Sequence, residues 1–250
     1  MTYTEKTVTD ALSGLGPLFG TDVHAPDAIV MPPWHQLGEL ARNQAALRYW
    51  VLQVGRELAA LGGIPGRSVD SKAAASLTHL GLVARLIAPA LALAVRTGQV
   101  LDLNLASTWW QPVLGGPVPL SISLPSAPPP AQPGNDRVAS LMSERVIDGP
   151  VRELTSAVEE LGVSPRVLWG NVASVVNSAA SLLTEIRPEL SGKTRHIAAA
   201  LMHRPPLGDA GTVDVAGRFR RLSCCLLHQV TPGERGPVCG DCVLVRDTSE

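Results

Sequence analysis

The 250 residues are 45% hydrophobic and 17% charged, with a formal charge of −1 at neutral pH. That is enough chain to bury one large core or two small ones, and the composition is far too apolar for a disordered segment. A near-neutral chain supplies no field for a phosphate backbone, so nucleic-acid binding is not expected. The only basic feature is a short arginine cluster near the C-terminus.

The opening MTYTEKTVTDALSG has no basic region followed by an apolar stretch and a small-residue cleavage site, so no secretion signal is expected and the cytoplasm is the expected compartment. From Pro33 to Gly62, the residues Leu37, Leu40, Ala41, Ala45, Leu47, Val51, Val54 and Leu58 recur at spacings of three and four. They predict one long amphipathic helix, stopped at Gly62-Gly63. A second helix is expected from an N-cap at Ser68 or Asp70 as far as Gly98, kinked or split at Pro89. Its apolar run Leu86 to Val95 is about half the length that a bilayer demands and reads as a buried helix.

From Gln99 to Leu124 the pattern changes to alternation about Gly115-Gly116-Pro117, which predicts a small antiparallel sheet. The proline-rich PSAPPPAQPG from Pro125 to Gly134 forbids helix and marks an internal boundary. Helical periodicity then predicts helices over 136–147, 149–161, 164–186 and 192–203, with Ser164-Pro165 as an N-cap and N1 pair. The expected fold is α+β, mainly helical, with a small antiparallel sheet and a C-terminal tail, in three parts: 1–134, 135–217 and 218–250.

All four cysteines lie in that tail: Cys224-Cys225, thirteen residues, then Cys239-Gly240-Asp241-Cys242. Cysteines that staple a secreted fold are spread to close long loops, and these converge on one spot. A C-x-x-C turn faces two thiolates toward one metal centre, and the second pair completes a four-thiolate set. Adjacent side chains diverge, which makes Cys224 and Cys225 awkward partners on one tetrahedral zinc and easier partners on a two-iron cluster. A [2Fe–2S] cluster is therefore favoured, with structural zinc and disulfide chemistry as the open alternatives. His228, inside the cysteine loop, is a minor candidate ligand.

Gly192-Lys193-Thr194 ends like a phosphate loop, but the required earlier glycine falls at Arg187, and no G-x-G-x-x-G follows a strand. Any electrons must then come from another protein. Asn171 and Asn177, six apart on a predicted helix, are given no role.

The ending Ser223-Cys224-Cys225-Leu226 and Cys239-Gly240-Asp241-Cys242, approached through Arg218, Arg220 and Arg221, resembles that of the FhuF-type siderophore ferric reductases. Leu168-Trp169-Gly170-Asn171-Val172-Ala173-Ser174 resembles a helix of the same family and of the FhuF-like region of siderophore synthetases. The resemblance implies that Cys224, Cys225, Cys239 and Cys242 ligate a [2Fe–2S] cluster that passes one electron to Fe(III) in a siderophore, releasing Fe(II). It implies a ferric siderophore, hydroxamate in preference, received by residues 1–134, and a donor such as a ferredoxin or flavoprotein. Docking at the membrane beside a siderophore transporter is compatible with it.

The interval between the cysteine pairs is longer than usual in that family, and the excess falls in the polar turn Thr231 to Gly236, where insertion costs little entropy. Trp34-His35 and Trp109-Trp110 are candidates to line the siderophore pocket, with core packing as the alternative. The three arginines either tune the cluster and meet an acidic donor or form a solvated turn. The competing reading of the whole chain is a non-catalytic zinc-binding or redox-sensing module. A siderophore-biosynthesis enzyme is disfavoured by length.

Overall fold

The structure, a computed structural model, describes residues 5–63, 69–124, 133–214, 218–230 and 238–244. Its axis is helix α4, Ser71–Thr97. The Asp70 carboxylate accepts hydrogen bonds from the Lys72 and Ala73 amides at 2.9 and 3.0 Å, satisfying donors that a helix start leaves open. At the other end Gly98 adopts φ +74°, the left-handed conformation that stops a helix most easily at glycine. Pro89 neither splits α4 nor ends it. Helices α4 and α7 (Pro165–Ile186) are long and apolar enough to cross a membrane by length and composition, yet 83% and 61% of their most apolar windows are buried inside the protein.

The segment expected as one helix over Pro33 to Gly62 is divided into β2 (His35–Gln36), α2 (Gly38–Arg42) and α3 (Gln44–Leu61). Asn43 makes the break: its backbone is extended, and its side chain accepts from the amides of Ala45 and Ala46 at 3.0 and 3.2 Å. Apolar spacing runs through the break in register, which is why periodicity alone reads a single helix. Between Asn135 and Glu159, α5 (Asn135–Met142) and α6 (Arg152–Glu159) are joined by wider π-type turns over Ser143–Val151. Gly149, just before Pro150, leaves helical geometry there at φ −94°, ψ −110°. Helix α7 occupies Pro165–Ile186 as the sequence predicts, and α8 spans Ser191–Met202.

Helix α7 lies along α4, with α8 on its outer side and α3 and α1 (Glu5–Leu12) against other faces of α4. Gly55 lets α3 approach closely, since a Cβ there would sit 3.3 Å from the Ala74 Cβ. One hydrophobic core runs through all three parts of the chain, from Val8 to Val230.

The fold is thus mainly helical α+β, but its larger sheet is mixed where an antiparallel one was expected. Strand β4 (Leu120–Ser123) pairs in parallel with β1 (Asp22–His24) and antiparallel with β3 (Trp109–Trp110), which pairs with β2. Two of these strands come from residues before α2, and each spans only two or three residues, too few for alternation to show. A second, antiparallel sheet joins β5 (Gly211–Val213) to β6 (Phe219–Arg221). Arg85, 4% exposed, pins the N-terminal loop and the sheet to α4: its guanidinium donates to the carbonyls of Val118, Pro17, Leu18 and Gly20 at 2.8, 3.0, 2.5 and 2.5 Å. Residues 125–132, most of the expected proline-rich boundary, and the turn at 231–236 lie outside the described residues.

Candidate metal centre

The cysteine segments hang from helices α4 and α7. Strand β6 delivers the first pair. The Leu222 amide donates to the Ala210 carbonyl at 3.1 Å, the Ser223 hydroxyl to the Arg166 carbonyl at 2.9 Å, and the Ser76 hydroxyl of α4 to the Cys225 carbonyl at 2.9 Å. The C-x-x-C turn closes through the Cys242 amide to the Cys239 carbonyl at 3.2 Å. Its Asp241 explains its own presence. The carboxylate accepts from the Ser174 hydroxyl at 2.6 Å and from the Asn177 amide at 3.5 Å, while its carbonyl accepts from the Arg221 amide at 3.1 Å.

None of the four cysteines is in a disulfide, and Cys225 and Cys242 are buried. Cys225, Cys239 and Cys242 come together, and Cys224 lies with its sulfur 3.3 Å from His228 Nδ1. Backbone amides point at the sulfurs: Leu226 at Cys224 (3.3 Å), Leu244 at Cys242 (3.4 Å) and Leu227 at Cys225. Leu226 reaches this position at φ +68°, a left-handed conformation that no other non-glycine adopts among the described residues. The Cys225 thiol is lowered to about 6, chiefly by its hydrogen bond with Cys239, which pushes Cys239 far upward; burial raises Cys224. Among the described residues, no three His, Cys, Asp or Glu side chains are already arranged around a metal position.

Whether these residues suit an anionic four-thiolate group is answered by Arg221. It is 1% exposed and forms no ion pair among the described residues. Its Nη2 donates to Asn171 Oδ1 at 2.6 Å and to the Val167 carbonyl at 3.2 Å, whereas Nε and Nη1 are buried without a partner among the described residues. A buried guanidinium with idle donors is costly unless an anion lies against it, and thiolates at Cys224, Cys225, Cys239 and Cys242 are anions of that kind. The residues fit.

Behind Arg221 runs a buried polar chain that the sequence reading missed. Asn171 Nδ2 donates to the Ser76 carbonyl at 2.9 Å and lies 3.1 Å from Ser76 Oγ and 3.4 Å from His79 Nδ1. Across the ring, His79 Nε2 meets Thr155 Oγ1 at 3.0 Å, and that hydroxyl donates to the Val151 carbonyl at 2.7 Å. The expectation that Asn171 and Asn177 have no role is corrected: six residues apart they point about 120° apart, and each holds a different part of the tail. The available signal was polar residues, Ser76, His79, Asn171 and Ser174, at buried positions of otherwise apolar helices. The three arginines also separate: Arg218 is exposed and paired with Asp214 at 2.9 Å, and only Arg221 is buried in the site.

The tryptophan candidates gather at the larger sheet, where His35 is opposite Trp110. Trp110 is buried edge-on against Trp50 at 4.9 Å, and Trp109 is stacked on His24 at 3.7 Å; Trp34 is half-buried and His35 exposed. The sheet is tied to α4 at Arg85, nine residues or about 13 Å along the helix from Ser76. An open cleft of about 1000 Å³ lies nearer, between α3 and the start of α4, floored by Val51, Gly55, Ala59 and Ala74 and rimmed by Arg48 and Arg56. Ala74 and Ser76 point about 160° apart, so cleft and cysteines flank the same helix turns. No protein-family model and no curated protein matches the chain.

Proposed function

We propose that the protein reduces ferric siderophores, releasing iron as Fe(II), with a [2Fe–2S] cluster held by Cys224, Cys225, Cys239 and Cys242. The observation that carries this reading is the buried Arg221, which has two donors idle among the described residues and whose charge acts on Cys224, Cys225 and Cys239. When bound, such a cluster supplies electrons one at a time, the stoichiometry that Fe(III) to Fe(II) requires. Fe(III) is a hard ion held tightly by oxygen donors, and the added electron weakens those bonds enough for exchange.

The chain's own residues do the rest. Ser76, Ser174, Asn177 and Ser223 hold the two cysteine segments, and amides of Leu226, Leu227 and Leu244 donate toward sulfur, stabilising its negative charge. Cys224 and Cys239 are only partly buried, which leaves an edge for electrons to enter or leave.

For the ferric complex, the α3–α4 cleft suits better than the tryptophan cluster, whose rings already cover one another. Its apolar floor and two arginines, set against the one carboxylate of Asp70, which already caps α4, favour an anionic, partly aliphatic complex. The electron donor is a protein such as a ferredoxin or flavoprotein, in the reducing cytoplasm that four free thiols suit. The hydrogen bond between Cys225 and Cys239 favours, as a second reading, a thiol redox sensor.

Protein purified without oxygen decides between them. Visible bands that bleach with dithionite and return on adding a ferric siderophore support the reductase, and Cys239→Ser and Cys242→Ser should lose both. A colourless protein carrying one zinc, or bands unchanged in both variants, would overturn it.

A further inference from the structure

Strand β6 turns Arg221 inward, and among the described residues the groups that hydrogen-bond to its side chain, Asn171 and the Val167 carbonyl, are neutral. Asn171 cannot be flipped, because its Nδ2 is needed by the Ser76 carbonyl and faces His79 Nδ1; its Oδ1 must therefore meet the guanidinium. Thr155 spends its proton on Val151, so His79 donates from Nε2 and keeps Nδ1 as an uncharged acceptor. Val167 offers a carbonyl. The carboxylate of Asp241 is engaged by Ser174 and Asn177 and forms no salt bridge with Arg221, although the Arg221 charge acts on it across the site. Gly170 completes the fit. A Cβ there would collide with Ser223 Oγ and come within 3.0 Å of Arg221 Nη2. The network fixes the cation without a salt bridge among the described residues, so its charge acts on Cys224, Cys225 and Cys239 as well as on Asp241.

We propose that Arg221 is a positioning residue that acts as the buried counter-charge of the four-thiolate group and raises the reduction potential of a cluster held there. The inference rests on the metal-centre reading above. A reduced cluster carries one more negative charge than an oxidised one, the electron coming from the donor protein, so a fixed cation stabilises the reduced form more. The polar chain through Asn171, His79 and Thr155 keeps that cation in place without neutralising it.

The test is a potentiometric titration of the anaerobically reconstituted full chain, followed by visible absorbance. Arg221→Gln should shift the reduction equilibrium at least tenfold toward the oxidised form, which is 59 mV for a one-electron couple, and Arg221→Lys should recover most of that shift. A potential equal to wild type in Arg221→Gln, with an unchanged cluster spectrum, overturns the proposal.

A second measurement needs no cluster. Arg221→Met should lower the melting temperature of the full chain as purified and raise it in the Cys225→Ser/Cys242→Ser background, where the cation has lost its anions. The same drop in both backgrounds also overturns it. Should wild type take up no iron, the reductase reading falls and this thermal comparison alone decides the role of Arg221.

Discussion

His79 makes the buried polar chain testable by acid. The ring is fully buried, donates to Thr155 at 3.0 Å and presents its other nitrogen to the Asn171 amide, with Arg221 beyond. Burial first, and the Arg221 charge second, lower its pKa from 6.5 to about 3. Below pH 6.5 the unfolded chain takes up a proton that the folded chain refuses. The stability contributed by the neutral ring is therefore complete above pH 6.5 and is lost as pH falls toward 3, at about 1.4 kcal/mol per pH unit. At pH 4.5 the loss is about 2.7 kcal/mol. Guanidinium unfolding followed by tryptophan fluorescence, for wild type and His79→Gln between pH 7.5 and 4.5, isolates this term from other groups. At pH 7.5 the variant should be less stable by about 1 kcal/mol, for a less well placed hydrogen bond, and the two curves should cross on acidification. Parallel curves would refute the argument that His79 is held neutral.

Three further substitutions probe what holds the site. Gly170→Ala should cost about 1–3 kcal/mol by overpacking against Ser223 and Arg221, read as a lower denaturation midpoint; full stability would show that this approach is not close. Ser174→Ala removes the 2.6 Å hydrogen bond to the Asp241 carboxylate, so stability should fall by about 1.5–3 kcal/mol and a chelator should strip iron faster. Wild-type stability together with wild-type stripping would disconnect Asp241 from the cysteine turn. Arg85→Met leaves four backbone carbonyls short of a donor and should cost at least about 3 kcal/mol in the same unfolding assay, and a loss below about 1 kcal/mol would contradict its role as a clamp.

What was readable in the sequence follows from the range of the forces involved. Helix α7 is delimited by local chemistry, Ser164-Pro165 and a long apolar stripe, and it appears where expected. The break at Asn43 depends on a single cap that apolar spacing hides. Strands β1 and β2 exist because distant residues pair with them, and two or three residues cannot announce that. The cysteine pairs mark a candidate site by identity and spacing, whereas its supports do not. Asn171 and Ser76 lie ninety-five residues apart and read as ordinary polar interruptions until α4 and α7 are laid together. Arg221 looked no different from Arg218, because which of the two is buried is set by the facing of a three-residue strand.

The polar chain from Thr155 to Arg221 also bears on how this sequence can drift. Ser76, His79, Thr155, Asn171 and Arg221 each satisfy a neighbour, so replacing one strands a polar atom in the core and makes the next replacement more probable than the first. Alanines and valines around them on α4 and α7 can exchange for one another at modest cost. Across a library of random variants, the five positions should tolerate joint changes that they reject singly. A search for related proteins guided by that joint pattern, together with the cysteine pairs, would reach further than one guided by overall similarity.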